Sequence, residues 1–165
     1  MLNPTDFLNN CKVTIWPATY SVLRTQSIPD DFVAVIKDYK EISVILDSEQ
    51  VAGLNYEKAE HDWKILTFDA VLPFELVGFL AAVTKVLAEA KISIFALSAY
   101  STDHIMVKAD RLAATKKVLS DLGCIFDWHT NLVINFVLKE RLSIFQPQPT
   151  LFLSANAMQF KIPLA

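Results

Sequence analysis

The chain has 165 residues, enough to bury one core or two half-sized lobes sharing one. Hydrophobic residues make up 53% of it and mean hydropathy is +0.33, which points to surface that a partner subunit covers. Fifteen basic against eighteen acidic residues, with no basic block, argue against nucleic-acid binding, and Cys11 and Cys124 fit neither a metal-ligand spacing nor a disulfide framework.

The first ten residues lack a basic stretch followed by an apolar run, so no secretory signal is expected. The greasiest later run, 132–138, is followed at once by Lys139, Glu140 and Arg141 and is much shorter than the roughly 20 residues of a membrane span. A cytoplasmic protein with reduced thiols and no membrane association is the expectation.

In chain order, residues 12–16 alternate as a strand does, with Val13 and Ile15 on one face, until Pro17 interrupts them. A second short strand fits 20–25, and Pro29 followed by Asp30 and Asp31 reads as a turn. Two β-branched runs, 32–36 and 42–46, flank the charged stretch 37–41 and predict a hairpin. Ser48 suits the N-cap of a brief helix through Val51, stopped by Gly53, and the polar stretch 55–62 reads as a linker.

Residues 63–72 carry apolar side chains on both strand faces, Leu66, Phe68, Ala70 and Leu72 on one and Trp63, Ile65 and Val71 on the other. Pro73 ends that strand and is tolerated at a helix start. A helix over 74–90 would place Leu76, Phe79, Leu80, Val83, Leu87 and Ala90 on one stripe. A strand over 92–100, a turn at 101–103 and a strand over 104–108 follow. A helix capped by Asp110 then runs to Leu122 with Leu112, Thr115, Leu119 and Leu122 inward, Gly123 stops it, and 124–128 is a closing strand.

Strand, helix, strand, strand, helix, strand is the ferredoxin-like (βαββαβ) order, an α+β fold with an antiparallel sheet and its helices on one face. Residues 41–51 and 103–113 form a weak repeat, each an acidic residue, a strand and a short capped helix; chance resemblance between two strand-then-helix segments is the alternative. If the repeat is real, the first lobe is a reduced copy lacking the long helix. The expected organisation is a first lobe over 11–54, a second over 63–128 and an extension over 129–165, where the apolar stretch 131–145, the break at 146–149 and the tail 151–165 give no clear period.

Catalytic motifs are missing from the sequence. His61, His104 and His129 are scattered, no nucleophile elbow, HExxH, phosphate loop or dinucleotide fingerprint occurs, and three glycines leave little for a phosphate cradle. A non-enzymatic protein with no metal and no cofactor is expected. Gly78 is the informative glycine: inside a helix it costs about 1 kcal/mol relative to alanine, less in the first turn, so it serves either a close approach or a ligand contact. Glu75 suits a helix dipole and Asp103 suits a turn; together they could place carboxylates and free amides on one rim, matching the ammonium and carboxylate of an amino acid.

The segments FELVG (74–78), ISIFALS (92–98) and YSTD (100–103) resemble the ACT family of small amino-acid-binding regulatory domains, in the tandem branch shared by aspartokinases and the cytosolic arginine sensor. The resemblance covers about 11–123 and implies tandem ferredoxin-like lobes, with a free amino acid bound between ACT units, often in a dimer. By position it implies Glu75, Val77, Gly78 and Phe79 at the helix entrance and Ser98, Thr102 and Asp103 at the strand end. Amides near Gly78 would meet the ligand carboxylate, and Asp103 with Glu75 an ammonium or guanidinium group. The chain departs from the family pattern where a DxPG start is replaced by Val71-Leu72-Pro73-Phe74, where Phe79 replaces a small aliphatic residue, and at Ala99 and His104.

The expected function is a non-enzymatic regulatory protein that binds a free amino acid or similar small ligand at a lobe or subunit interface, as a homodimer or with a regulatory partner protein. One alternative is a protein–protein assembly module with no ligand. A further one is a small acylphosphatase-like enzyme, for which Arg24 is the lone basic residue near the first strands.

Overall fold

The computed structural model describes residues 3–127. His129, the break at 146–149 and the whole extension 129–165 lie outside the described residues.

A long strand, β5 (Lys58–Phe68), runs through the middle of an eight-stranded sheet. Its first half pairs with β2 (Tyr20–Thr25) and its second with β1 (Lys12–Ile15), so β1 and β2 behave as one strand interrupted at Pro17 and laid along the same edge of β5. On the other edge lies β7 (Asp103–Lys108), followed by β6 (Ile94–Ser98). Beyond β2 come β4 (Ile42–Asp47) and β3 (Ala34–Lys37), the hairpin that the β-branched runs predict. All of these pairs are antiparallel; β8 (Ile125–Asp127) alone pairs in parallel, with β1.

Among the described residues, three helices cover one face. The short α1 (Pro4–Leu8), α2 (Phe79–Glu89) and α3 (Leu112–Asp121) bury Leu8, Phe79, Val83, Leu87 and Leu119 against Val13, Leu66, Phe68, Ile105 and Val107 of the sheet. The stripes expected on α2 and α3 point inward. Thr115 is fully buried within α3, and its hydroxyl is satisfied by donating to the Arg111 carbonyl at 2.9 Å. Both helices end in the same double hydrogen bond: Ile92 N–H to Leu87 O and Lys91 N–H to Ala88 O, then Cys124 N–H to Leu119 O and Gly123 N–H to Ser120 O. Gly123 takes the left-handed φ of +103° that this stop requires, whereas α2 places Lys91 there at +56°.

The α+β class and the ferredoxin-like order of residues 58–127 stand as expected. Between β2 and β5 the chain forms no α-helix, only a 3₁₀ turn at Ser48–Gln50. The weak repeat has a structural counterpart: β4 and β7 are six-residue strands with the same burial pattern, each followed by a three-residue 3₁₀ turn, at Ser48–Gln50 and Ala109–Arg111.

Three local expectations are corrected. The stretch 55–62 is not a linker throughout, because β5 begins at Lys58: the ladder Arg24↔Lys58, Leu23↔Ala59 and Val22↔Glu60 holds it, and its polar side chains face outward. Asp47, not Ser48, caps the turn after β4, its carboxylate accepting from Glu49 N–H at 3.0 Å. Asp110 does not cap α3, since Ala109–Arg111 is itself the 3₁₀ turn that leads into the helix.

Candidate functional site

The helix after Pro73 starts later than its apolar period suggests. Pro73 opens a tight turn, closed by Leu76 N–H donating to the Pro73 carbonyl at 2.9 Å, and Gly78 then adopts φ +92°. That conformation is not helical and is costly for any residue with a side chain, so α2 can begin only at Phe79. Gly78 is therefore the N-cap of α2 rather than part of its first turn. Having no side chain, it leaves the leading amides of the helix without a side-chain cap. Phe79 points into the core, 4% exposed, with its ring edge-on to Phe68 at 5.3 Å.

The second wall is the β6–β7 hairpin. Ser98 and Asp103 are cross-strand partners, and the Ser98 hydroxyl donates to Asp103 Oδ1 at 2.6 Å, which fixes the carboxylate. The turn between them is closed by Ala99 N–H to Thr102 O at 2.9 Å and is tied to the helix-entrance loop by Leu72 N–H to Ser101 O at 3.1 Å. That last bond brings two segments nearly thirty residues apart, at 72 and 101, onto one rim.

Between these walls lies a pocket of about 210 Å³ whose lining includes Leu72, Phe79, Ser98, Tyr100, Thr102 and Asp103. Four of the seven sequence-predicted residues, Phe79, Ser98, Thr102 and Asp103, thus meet in one place. Glu75, Val77 and Gly78 do not line it: Glu75 and Val77 are exposed on the loop, and Gly78 faces α1, with Pro4 Cγ 3.7 Å from where its Cβ would sit. Phe79 forms part of the wall from the core side and leaves the volume above it open. Sequence reasoning missed Leu72 and Tyr100, whose roles depend on the 72–101 contact and leave no local periodicity to read.

His104, next to Asp103 on β7, belongs to a different set of contacts. Its Nδ1 is 2.8 Å from Thr67 Oγ1, which also accepts from Trp16 Nε1 at 2.8 Å, and its Nε2 is 3.4 Å from Thr102 Oγ1. Burial holds its pKa below the ordinary histidine value, against the opposing pull of Asp103 and Asp69. The two cysteines, remote in sequence, are both buried free thiols, and a hydrogen bond between them together with burial keeps the Cys124 thiol protonated. Arg24 is engaged by two carboxylates, Glu57 at 3.0 Å and Glu41 at 3.4 Å.

Residues 58–121 match the sequence profile of the ACT domain. Over that stretch the chain is similar to an ACT domain. It contains α2, the β6–β7 hairpin and every residue of the pocket, so the resemblance drawn from 74–78, 92–98 and 100–103 holds where it is most specific. A search of curated protein sequences gives no match. Solved structures with the same fold include a protein from Agrobacterium tumefaciens, 22% identical, with a TM-score of 0.64 over 73% of this chain and 96% of that one. A protein of unknown function from Vibrio cholerae is 21% identical, with a TM-score of 0.57 over 70% of this chain and 93% of that one. The aspartate kinase of Clostridium acetobutylicum, an allosteric enzyme, is 9% identical, with a TM-score of 0.54 over 67% of this chain but 34% of the kinase. No helix among the described residues is long and apolar enough to cross a membrane, and no cluster of His, Cys, Asp and Glu among them could hold a metal ion.

Proposed function

We propose that the chain is a non-enzymatic regulatory module that binds a free amino acid, or a small molecule with the same ammonium group, in the pocket between the entrance of α2 and the β6–β7 hairpin. The observation that carries this reading is the Asp103 carboxylate, fixed by Ser98 inside a pocket whose other wall leads to the uncapped first turn of a helix. The carboxylate suits an ammonium or guanidinium group, and the helix amides suit a carboxylate. Glu75 and Val77, exposed on the same loop, would contact the ligand only once a second lobe or subunit closes over the rim. The lobes 11–54 and 63–128 are the units of this reading, with 129–165 as an extension, and the assembly is a homodimer or a complex with a regulatory partner in the cytoplasm.

Thermal unfolding of the full chain across the twenty amino acids tests this. A ligand at 100 times its Kd adds about 2.7 kcal/mol of stability. At least one amino acid should raise the midpoint, and the rise should be lost in Asp103→Asn; no shift with any of them refutes the reading.

A second reading, assembly without a ligand, is favoured by one feature. Val71, Phe74, Val77 and Tyr100 are all exposed around the rim, with the Phe74 and Tyr100 rings edge-to-face at 5.1 Å. Light scattering on Phe74→Glu separates the two: loss of the oligomer with no amino-acid response in either form supports assembly alone.

A further inference from the structure

The sheet face that no helix among the described residues covers carries a second cavity, of about 250 Å³. Its lining includes Ala34 from β3 and Leu97 from β6, the two edges of the run β3-β4-β2-β5-β7-β6. Five strand spacings of about 4.8 Å would hold those edges roughly 24 Å apart in a flat sheet. The sheet is therefore coiled far enough to bring both edges over one floor, made by Trp16 and Ile65, and the apolar cluster of Tyr20, Ile45, Trp63 and Met106 completes the layer.

Two polar residues stand among these apolar walls: Ser98, whose hydroxyl donates to Asp103, and His104, whose protonation state is set by its neighbours. Trp16 Nε1 can only donate, so Thr67 Oγ1 accepts from it, and the single Thr67 hydroxyl proton goes to His104 Nδ1. The neutral ring then carries its proton on Nε2, whose nearest partner, Thr102 Oγ1 at 3.4 Å, is too distant for a strong bond. The ring stands edge-on to Trp16 with centroids 6.3 Å apart, so the cavity offers two aromatic surfaces and one N–H donor.

We infer that this cavity is a binding site for a small uncharged aromatic molecule bearing one hydrogen-bond acceptor, which His104 Nε2–H engages. An apolar cavity of about 150 Å³ already accepts benzene, so this one takes a ring with a short polar substituent, or a fused bicycle. Charge is excluded by the chemistry of the walls. An anion would meet apolar side chains and the negative field of Asp69 and Asp103, and a cation, which that field attracts, would have to leave water for a mostly apolar lining whose imidazole N–H donates rather than accepts. The site is distinct from the pocket at the helix entrance and does not depend on what binds there.

The test is a calorimetric titration of the full chain with benzamide, beside toluene, which has no acceptor, and benzoate, which is charged. Saturable one-site binding of benzamide is expected, with toluene and benzoate each at least tenfold weaker. Ala34→Phe, which fills the cavity from β3 without touching the other pocket, should weaken benzamide at least tenfold. No saturable binding, or binding unchanged in Ala34→Phe, overturns the site; benzoate binding as well as benzamide overturns the ligand class, and toluene doing so overturns the role of His104. Should Ala34→Phe fail to fold, NMR of the wild-type chain decides: benzamide must shift the Trp16 indole N–H and the His104 ring signals, and shifts absent there refute the site.

Discussion

The two cavities share a wall, Ser98 and Ala99, and differ in almost everything else. The one at the entrance of α2 holds a carboxylate, hydroxyls and a helix terminus, the equipment for a charged ligand. The one on the opposite face of the sheet has aromatic and aliphatic walls and an imidazole whose pKa burial lowers. Alternation along β7 makes the difference: Asp103 and His104 are consecutive, so they serve opposite faces of one strand, and Thr102, which lines the first pocket, sits 3.4 Å from the imidazole of the second. Chemistry at a sheet edge can thus change completely within one residue.

Substitutions that touch one cavity and spare the other break the comparison most sharply. Asp103→Asn removes the charge at the first pocket and should cost about 1.5–3 kcal/mol of amino-acid binding, the worth of a charge-assisted hydrogen bond, with benzamide binding unchanged by calorimetry. Thr67→Val has the reverse target. It strands Trp16 Nε1 and His104 Nδ1 at once and should lower unfolding stability by about 1–3 kcal/mol in chemical denaturation. Gly78→Ala meets no atom closer than Pro4 Cγ at 3.7 Å, so its effect is purely the left-handed backbone, and a loss of about 1–2 kcal/mol is expected.

The smallest effect is a pH dependence. His104 has its pKa lowered by folding, so the unfolded chain binds the proton more readily and stability rises with pH. The penalty is absent well above 6.5, the ordinary histidine value, and grows as pH falls through it toward the lower folded pKa. Wild type should therefore lose stability relative to His104→Gln as pH drops from 7 toward 5, measured as a difference between denaturation midpoints. Equal slopes for the two proteins would show that His104 is not held neutral.

Much of this was readable along the chain. The existence of the β3–β4 hairpin, both faces of β5 and the inward stripes of α2 and α3 follow from apolar periods, because burial on one face imposes a period of two or 3.6 whatever the partner. The start of α2 was misread for a comparable reason: the apolar period runs on through Leu76, and the left-handed φ of Gly78 leaves no trace in it. At the first pocket, Ser98 and Asp103 could be paired by reasoning across a short turn. Leu72 and Tyr100 could not, since a single long-range hydrogen bond brings them together.

The sequence by itself determined the α+β class, the βαββαβ order from β5 to β8 and the lack of recognisable catalytic motifs. These are local properties, written in neighbouring residues. The tertiary structure alone decided that β1 and β2 lie end to end along β5, that Glu75, Val77 and Gly78 stand outside the pocket, and that coiling brings β3 and β6 over Trp16 and His104. Sheet twist accumulates over many strands, and the cavity it closes is assembled from residues as far apart as 16 and 104, so no window of the chain contains it.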